Sequence, residues 1–155
     1  MRTVVRCAAV AAVVLQCGGC GHATSDAAAV EAASIAWKET FNAGDPAAVT
    51  ALYAEDAVLS APGKPLVRGR AAIGAYFVKT AAEFAAAGLT VTDAPLGAGV
   101  ASGDLGYQWK TYSISDKAGK AVGSGALLTL FRRENGRWLI VADTWNPIEP
   151  AAAAP

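Results

Sequence analysis

The sequence predicts an α+β fold in which three N-terminal helices pack against a curved, mainly antiparallel sheet. Three observations lead there. Apolar residues recur at spacings of three and four in the first half, as in Val30, Ala33, Trp37 and Phe41. After Gly88 the period shortens to two. Two turn signals, Asp116-Lys117-Ala118-Gly119 and Glu134-Asn135-Gly136, then divide the second half into hairpins. Helices first and a strand meander afterwards is the α+β order, and a curved sheet wrapped around helices encloses a cavity.

Each element follows from local chemistry. The first helix starts near Asp26, presents Val30, Ala33, Trp37 and Phe41 on one face, and stops at Asn42-Ala43-Gly44. Asp45-Pro46 reads as an N-cap followed by Pro at the first helical position. A short second helix then runs to about Ala54 and buries Val49, Leu52 and Tyr53. Ala57 to Ser60 is a short strand, and Pro62-Gly63-Lys64-Pro65 a turn-rich loop. The third helix spans Arg70 to Ala87, with Ile73, Phe77, Thr80 and Phe84 on one face and Gly88 as its stop. Strands follow at Leu89–Asp93, Leu105–Ser115, Val122–Arg133 and Trp138–Asn146; Gly123 and Gly125 mark curvature or bulges in the third of these. Residues 148–155, ending in Ala-Ala-Ala-Ala-Pro, read as an unstructured tail.

The N-terminus has a different character. Arg2 and Arg6 precede an apolar run from Cys7 to Leu15, too short to span a bilayer, and small residues follow. Residues 1–20 therefore read as an export signal and 21–29 as a linker to a domain at 30–147, placing the protein in a bacterial periplasm or cell envelope. Gly19-Cys20 resembles a lipobox, which makes Cys20 a lipidation candidate and a lipid anchor the expected contact with the membrane. Cleavage after Ala23, giving a soluble secreted form, is the alternative. Cys7, Cys17 and Cys20 all lie in this segment, and so does His22, the single histidine. The domain thus has no thiol for a disulfide or nucleophile and no His cluster, and neither a metal nor a cofactor is expected. A formal net charge of zero without a Lys/Arg cluster speaks against nucleic acid as a partner.

Three stretches carry a family likeness: "FNAGDPAAVTALYAEDAVLSAPG", "VRGRAAIGAYF" and "FRRENGRWLIVADTWNP". Together, from Ser34 to Pro147, they resemble the nuclear transport factor 2-like superfamily, and within it the SnoaL-like and ketosteroid isomerase-like branch. The resemblance implies a cone-shaped barrel, an interior cavity and often a homodimer formed by the exposed sheet face. It does not imply one activity, since isomerases, dehydratases, cyclases and non-catalytic domains share the fold. The isomerase machinery is not matched. Its general base falls at Ala61, its oxyanion tyrosine at Trp37 and its oxyanion acid near Leu128; a methyl group abstracts no proton.

The remaining acids can be sorted by position. Asp26, Glu31, Glu39 and Glu83 fall on polar helical positions, Asp45 is a cap, and Glu149 lies in the tail. Asp93, Asp104, Asp116 and Glu134 fall at strand ends or turns, and Glu55 and Asp56 read as solvated acids where the second helix ends. Arg132 and Arg133, beside a turn, read as solvated too. Asp143 alone stands inside an apolar strand. Period two puts Leu139, Val141, Asp143 and Trp145 on one face, which the resemblance turns toward the cavity, with Trp145 and Tyr53 at pocket positions. The same alternation puts Tyr107, Trp109 and Thr111 inward on the long strand. The candidate ligand pocket is therefore Trp37, Tyr53, Tyr107, Trp109, Thr111, Val141 and Trp145, holding a small apolar or aromatic molecule. Asp143 is the candidate general acid/base, or else a structural group satisfied by its neighbours. Ligand binding, acid–base catalysis of the isomerase, dehydratase or cyclase kind, and homodimeric association all remain open functions.

Overall fold

The structure, a computed structural model, describes residues 20–148. Most of the expected export signal and the tail from 149 lie outside the described residues.

The order of elements is α1 (Cys20–Asn42), α2 (Pro46–Thr50), β1 (Tyr53–Ser60), β2 (Val67–Arg68), α3 (Arg70–Ala87), β3 (Thr90–Pro95), β4 (Val100–Ser102), β5 (Leu105–Ser115), β6 (Ala121–Glu134) and β7 (Arg137–Pro147). The strands form one sheet in the order β2-β1-β7-β6-β5-β3, with β4 also paired to β5. All pairs are antiparallel except β1 with β7. The α+β class, the three helices and the curved, mainly antiparallel sheet are as the sequence predicts; the sheet runs open from β2 to β3 rather than closing into a barrel.

Four local features depart from the sequence expectations. Helix α1 is already helical at Cys20 and takes in the 21–29 stretch expected as a linker; Asp26 anchors it through an ion pair to Arg133 at 2.7 Å. Helix α2 is shorter than expected, because Tyr53 and Ala54 already belong to β1. Glu55 and Asp56 therefore lie on a strand rather than a helix end, paired with Arg70 and Arg132. Arg132 and Arg133 are not merely solvated: Arg132 also meets Glu134, and Arg133 bridges Asp26 and Asp104 while lying over the Trp138 ring. The short β2 and β4 were not legible from periodicity; two or three residues are too few to show it.

The caps behave as their residues require. The Asp45 carboxylate accepts from the Ala48 N–H at 2.9 Å, with Pro46 next in line. Gly88 adopts the left-handed conformation (φ 64°) that ends α3. Asn42 also docks the helix on the sheet: its side chain exchanges two hydrogen bonds with the Val91 backbone, at 2.7 and 2.9 Å. Close approach of α1 to the sheet depends on Gly106, where an added Cβ would meet Val30 at 2.6 Å.

The helices cover the concave face of the sheet. Their inward stripes, Val30, Trp37 and Phe41 from α1 and Ile73, Phe77 and Phe84 from α3, form a continuous aromatic and aliphatic wall with the sheet residues Tyr53, Leu59, Phe131 and Ile140. Trp37 stacks on Phe41 with centroids 5.0 Å apart, and Phe84 meets Phe41 edge-on at 5.1 Å. Such pairs contribute roughly 0.5–1.5 kcal/mol each beyond area burial.

A cavity with two polar ends

Between the helices and the sheet lies a cavity of about 220 Å³. Aromatic and aliphatic side chains line most of it: Trp37, Phe41, Phe77, Phe84, Leu127 and Trp145 among them. Its charged side chains lie in two places. One is Asp143 with Thr129; the other is Asp93 with Lys110.

Register explains the first. Thr129 on β6 and Asp143 on β7 are direct cross-strand partners, so the threonine hydroxyl donates to Asp143 Oδ1 at 3.2 Å. From β1, the Tyr53 hydroxyl donates to Asp143 Oδ2 at 2.7 Å. The Trp37 indole Nε1 in turn donates to the Tyr53 oxygen at 3.0 Å. The result is a relay, Trp37 to Tyr53 to Asp143, with Thr129 on the other carboxylate oxygen. Every donor in it is neutral. Burial raises the Asp143 carboxyl above its ordinary range, and hydrogen bonds from Tyr53, Thr129 and the Thr144 backbone only partly offset that. Burial and the nearby Asp143 charge push the Tyr53 phenol well above its usual value, so Tyr53 stays a donor.

The second polar group is ionic. Asp93 on β3 accepts from Lys38 of α1 at 3.0 Å through one oxygen and from Lys110 of β5 at 3.1 Å through the other. Lys110 is 3% exposed and the Asp93 side chain 8%. Asp93, expected at a strand end, is thus an interior cavity residue.

The sequence-predicted pocket divides accordingly. Trp37 and Trp145 line the cavity, and Asp143 does as well. Tyr53 is fully buried behind them and reaches the site through its hydroxyl. Tyr107, Trp109 and Thr111 do not belong to it. They stand on the outer face of β5, where Tyr107 and Trp109 are 42% and 43% exposed; the inward residues are Gln108, Lys110, Tyr112 and Ile114. Val141 is also outside the cavity lining. Phe131 pairs with Ile140 and Leu130 with Ala142, which leaves Val141 as an unpaired bulge residue. The bulge shifts the alternation by one, so Ile140, not Leu139 or Val141, joins Asp143 and Trp145 at the cavity. Leu128, the position matched to an oxyanion acid, pairs with Trp109 and Thr144 on the strand and does not line the cavity, while Leu127 and Thr129 do. Ala61 is buried past the end of β1 and offers no polar atom.

Sequence reasoning missed Lys110, Asp93, Thr129, Tyr112 and Ser34. Glycines held the available signal. Gly106 and Gly125 face inward, where an added Cβ at Gly125 would meet the Tyr112 ring at 2.6 Å. Both glycines therefore mark the inner parity of their strands, and with it Gln108, Lys110 and Tyr112. Among the described residues, no group of three or more His, Cys, Asp or Glu is placed to hold a metal ion.

Solved structures share this architecture. A ketosteroid isomerase-like protein from Erwinia carotovora atroseptica superposes with a TM-score of 0.67 at 24% identity, over 81% of this chain and 98% of that one. A nuclear transport factor 2-like protein with a cystatin-like fold from Novosphingobium aromaticivorans gives 0.73 at 22% identity, over 84% and 87%. A dehydratase candidate of the nuclear transport factor 2-like family from Streptomyces avermitilis gives 0.68 at 18% identity, over 82% and 99%. These likenesses show the fold. No functionally curated protein matches the chain. The family model for the SnoaL-like domain matches residues 35–141, which span the cavity walls from α1 to the start of β7, and the chain belongs to the SnoaL-like domain family.

Proposed function

We propose that the protein binds a small molecule with an apolar ring body in the cone cavity. The cavity itself supports this reading: an apolar, aromatic-lined space with few polar groups is the usual form of a small-molecule site. Its volume of about 220 Å³ bounds the ligand. An apolar cavity of about 150 Å³ accepts benzene, whereas drug-sized ligands occupy roughly 300 Å³ or more. One substituted ring, or two small ones, is the matching size. A thermal-shift series of one- and two-ring compounds tests it. A ligand at a hundred times its Kd adds about 2.7 kcal/mol of stability, so a concentration-dependent rise in Tm is expected. No rise with any member of the series would count against the reading.

Asp143 supports a second reading, in which the bound molecule undergoes proton transfer. A carboxyl held by neutral donors and raised by burial is suited to take or give a proton. Proton abstraction next to a carbonyl, as in isomerase or dehydratase chemistry, is the simplest such step: the ligand's C–H bond breaks, its proton moves to the Asp143 carboxylate and its electron pair to the ligand's carbonyl oxygen as an enolate, while Trp145 and Phe41 exclude water. Deuterium uptake by small cyclic ketones, followed by NMR, is the corresponding assay. Asp143→Asn should abolish protein-dependent uptake; unchanged uptake in this variant would refute the role.

Two further proposals concern setting. The outer sheet face carries Val100, Tyr107, Trp109 and Leu130, each at least 38% exposed, and this face is proposed as a homodimer surface. Light scattering should give twice the chain mass, and Trp109→Ser should return it to one. Export with a lipid anchor at Cys20 is proposed from the N-terminal sequence; metabolic labelling with a palmitate analogue should be lost in Cys20→Ala.

A further inference from the structure

The ionic end of the cavity is asymmetric. One carboxylate, Asp93, faces two ammonium groups, Lys38 and Lys110. Both Asp93 oxygens are occupied, one by each lysine. Lys38 is partly exposed at the rim, with 28% of its side chain accessible, and water can solvate it. Lys110 has no such outlet at 3% exposure. An ammonium group carries three donors, and among the described residues Asp93 is the acceptor that Lys110 reaches. Lys110 also lines the cavity, whose other walls are mainly apolar. A structural ion pair alone would need one lysine for one aspartate. Here a second cation is present, so the cluster of two ammonium groups and one carboxylate carries a net positive charge, which an anionic ligand would offset.

A groove that shares lining residues with the cavity has the same sign. Tyr76, Thr80 and Phe84 of α3 line the cavity and also a shallow groove between α3 and the 64–68 segment. Lys64, Arg68 and Lys79 border that groove against a single acid, Glu83. Cations beside a cavity favour anionic ligands over neutral ones.

Sheet geometry separates the two polar ends. Thr129 and Asp143 share one cross-strand row, and Lys110, Leu127 and Trp145 share the row two residues along. Lys110 and Asp143 are thus two strands and one same-face step apart. At about 4.8 Å per strand and about 3.3 Å per residue, their Cα atoms are about 12 Å apart.

We propose that the cavity ligand is a small aromatic or alicyclic carboxylate, its anionic oxygens on Lys110 and its ring body directed toward Trp145, Thr129 and Asp143. This rests on the small-molecule reading of the same cavity and adds the ligand's charge and orientation. In this arrangement Lys110 is a binding residue, and Asp93 positions its ammonium.

The test compares charged and uncharged partners of one shape: benzoate against benzamide, and cyclohexanecarboxylate against its amide. Calorimetric titration of the unaltered protein should show each acid binding at least tenfold more tightly than its amide. Lys110→Met should erase that ratio, while Lys120→Met, in the exposed turn after β5, should change it by less than threefold. Circular dichroism melts establish that each variant is folded; if Lys110→Met is not, the double variant Lys110→Met/Asp93→Asn removes both charges and serves instead. If amides bind as well as acids, the carboxylate inference fails and the cavity reading stands. If a tenfold preference survives without Lys110, the inference also fails. If neither acids nor amides bind at millimolar concentration, both fall.

Discussion

Asp143 and Asp93 are both buried carboxylates at the wall of one cavity, yet they are held in opposite ways. Neutral donors hold Asp143: a tyrosine, a threonine and a backbone N–H. Two lysines hold Asp93. Neutral donors satisfy the oxygens without cancelling the charge, so burial prevails and the carboxyl is raised. Cations cancel the charge and fix the group as part of an ion cluster. One acid is thereby raised above its ordinary range, and the other anchors a lysine.

Matched substitutions should break this contrast. Asp93→Asn has the largest expected effect, because it leaves Lys110 buried without a counter-charge. A loss of about 3–5 kcal/mol is expected, measured by urea denaturation. Asp143→Asn keeps the shape and an acceptor oxygen, and since its donors are neutral it should cost about 1 kcal/mol or less. Similar losses in the two variants would show that the distinction between neutral and ionic holding is wrong.

The pH dependence sharpens the same point. The folded Asp143 carboxyl is raised above its unfolded value, so the folded state keeps this proton more tightly than the unfolded chain. The unfolded carboxyl ionises first, at about pH 3.9. Stability from this group is therefore full at low pH and declines as pH rises from there toward the raised folded value. Wild type should lose stability relative to Asp143→Asn over that window and run parallel to it above. Denaturation at a series of pH values gives the two curves.

Smaller effects test the individual donors. Thr129→Val removes the weaker hydrogen bond to Asp143 and should cost about 1 kcal/mol, with the Asp143 titration moving further upward. Trp109→Ser, on the outer face, should change monomer stability by less than about 0.5 kcal/mol, because the side chain touches neither acid.

Much of this architecture was readable from residues. The stripes Val30-Ala33-Trp37-Phe41 and Ile73-Phe77-Thr80-Phe84 gave the helical wall, and Asp143 stood out as a lone acid in an apolar strand. Two physical facts hid the rest. On β5 the more aromatic alternation, Tyr107 and Trp109, faces outward, while Gln108 and Lys110 face in; hydrophobicity therefore named the wrong face. On β7 the Val141 bulge changes parity within a strand. Counted back from the Glu134–Arg137 pair without it, Asp143 would face Leu128; the added residue makes its partner Thr129. A bulge leaves no periodic trace, so the threonine that bonds the acid could be found only in the folded chain. Asp93 was hidden for a related reason, since its lysine partners lie 55 and 17 positions away.

The four tryptophans give the most direct measurement of the central claim, that the cone cavity is the binding site. Trp37 and Trp145 line it, Trp109 stands on the outer face, and Trp138 lies beneath Arg133. Their indole N–H signals can be followed by NMR while cyclohexanecarboxylate is titrated into nitrogen-labelled protein. Saturable shifts at Trp37 and Trp145, with Trp109 and Trp138 unmoved, are the predicted result. Shifts confined to Trp109, or no saturable shift at Trp37 and Trp145, would contradict it.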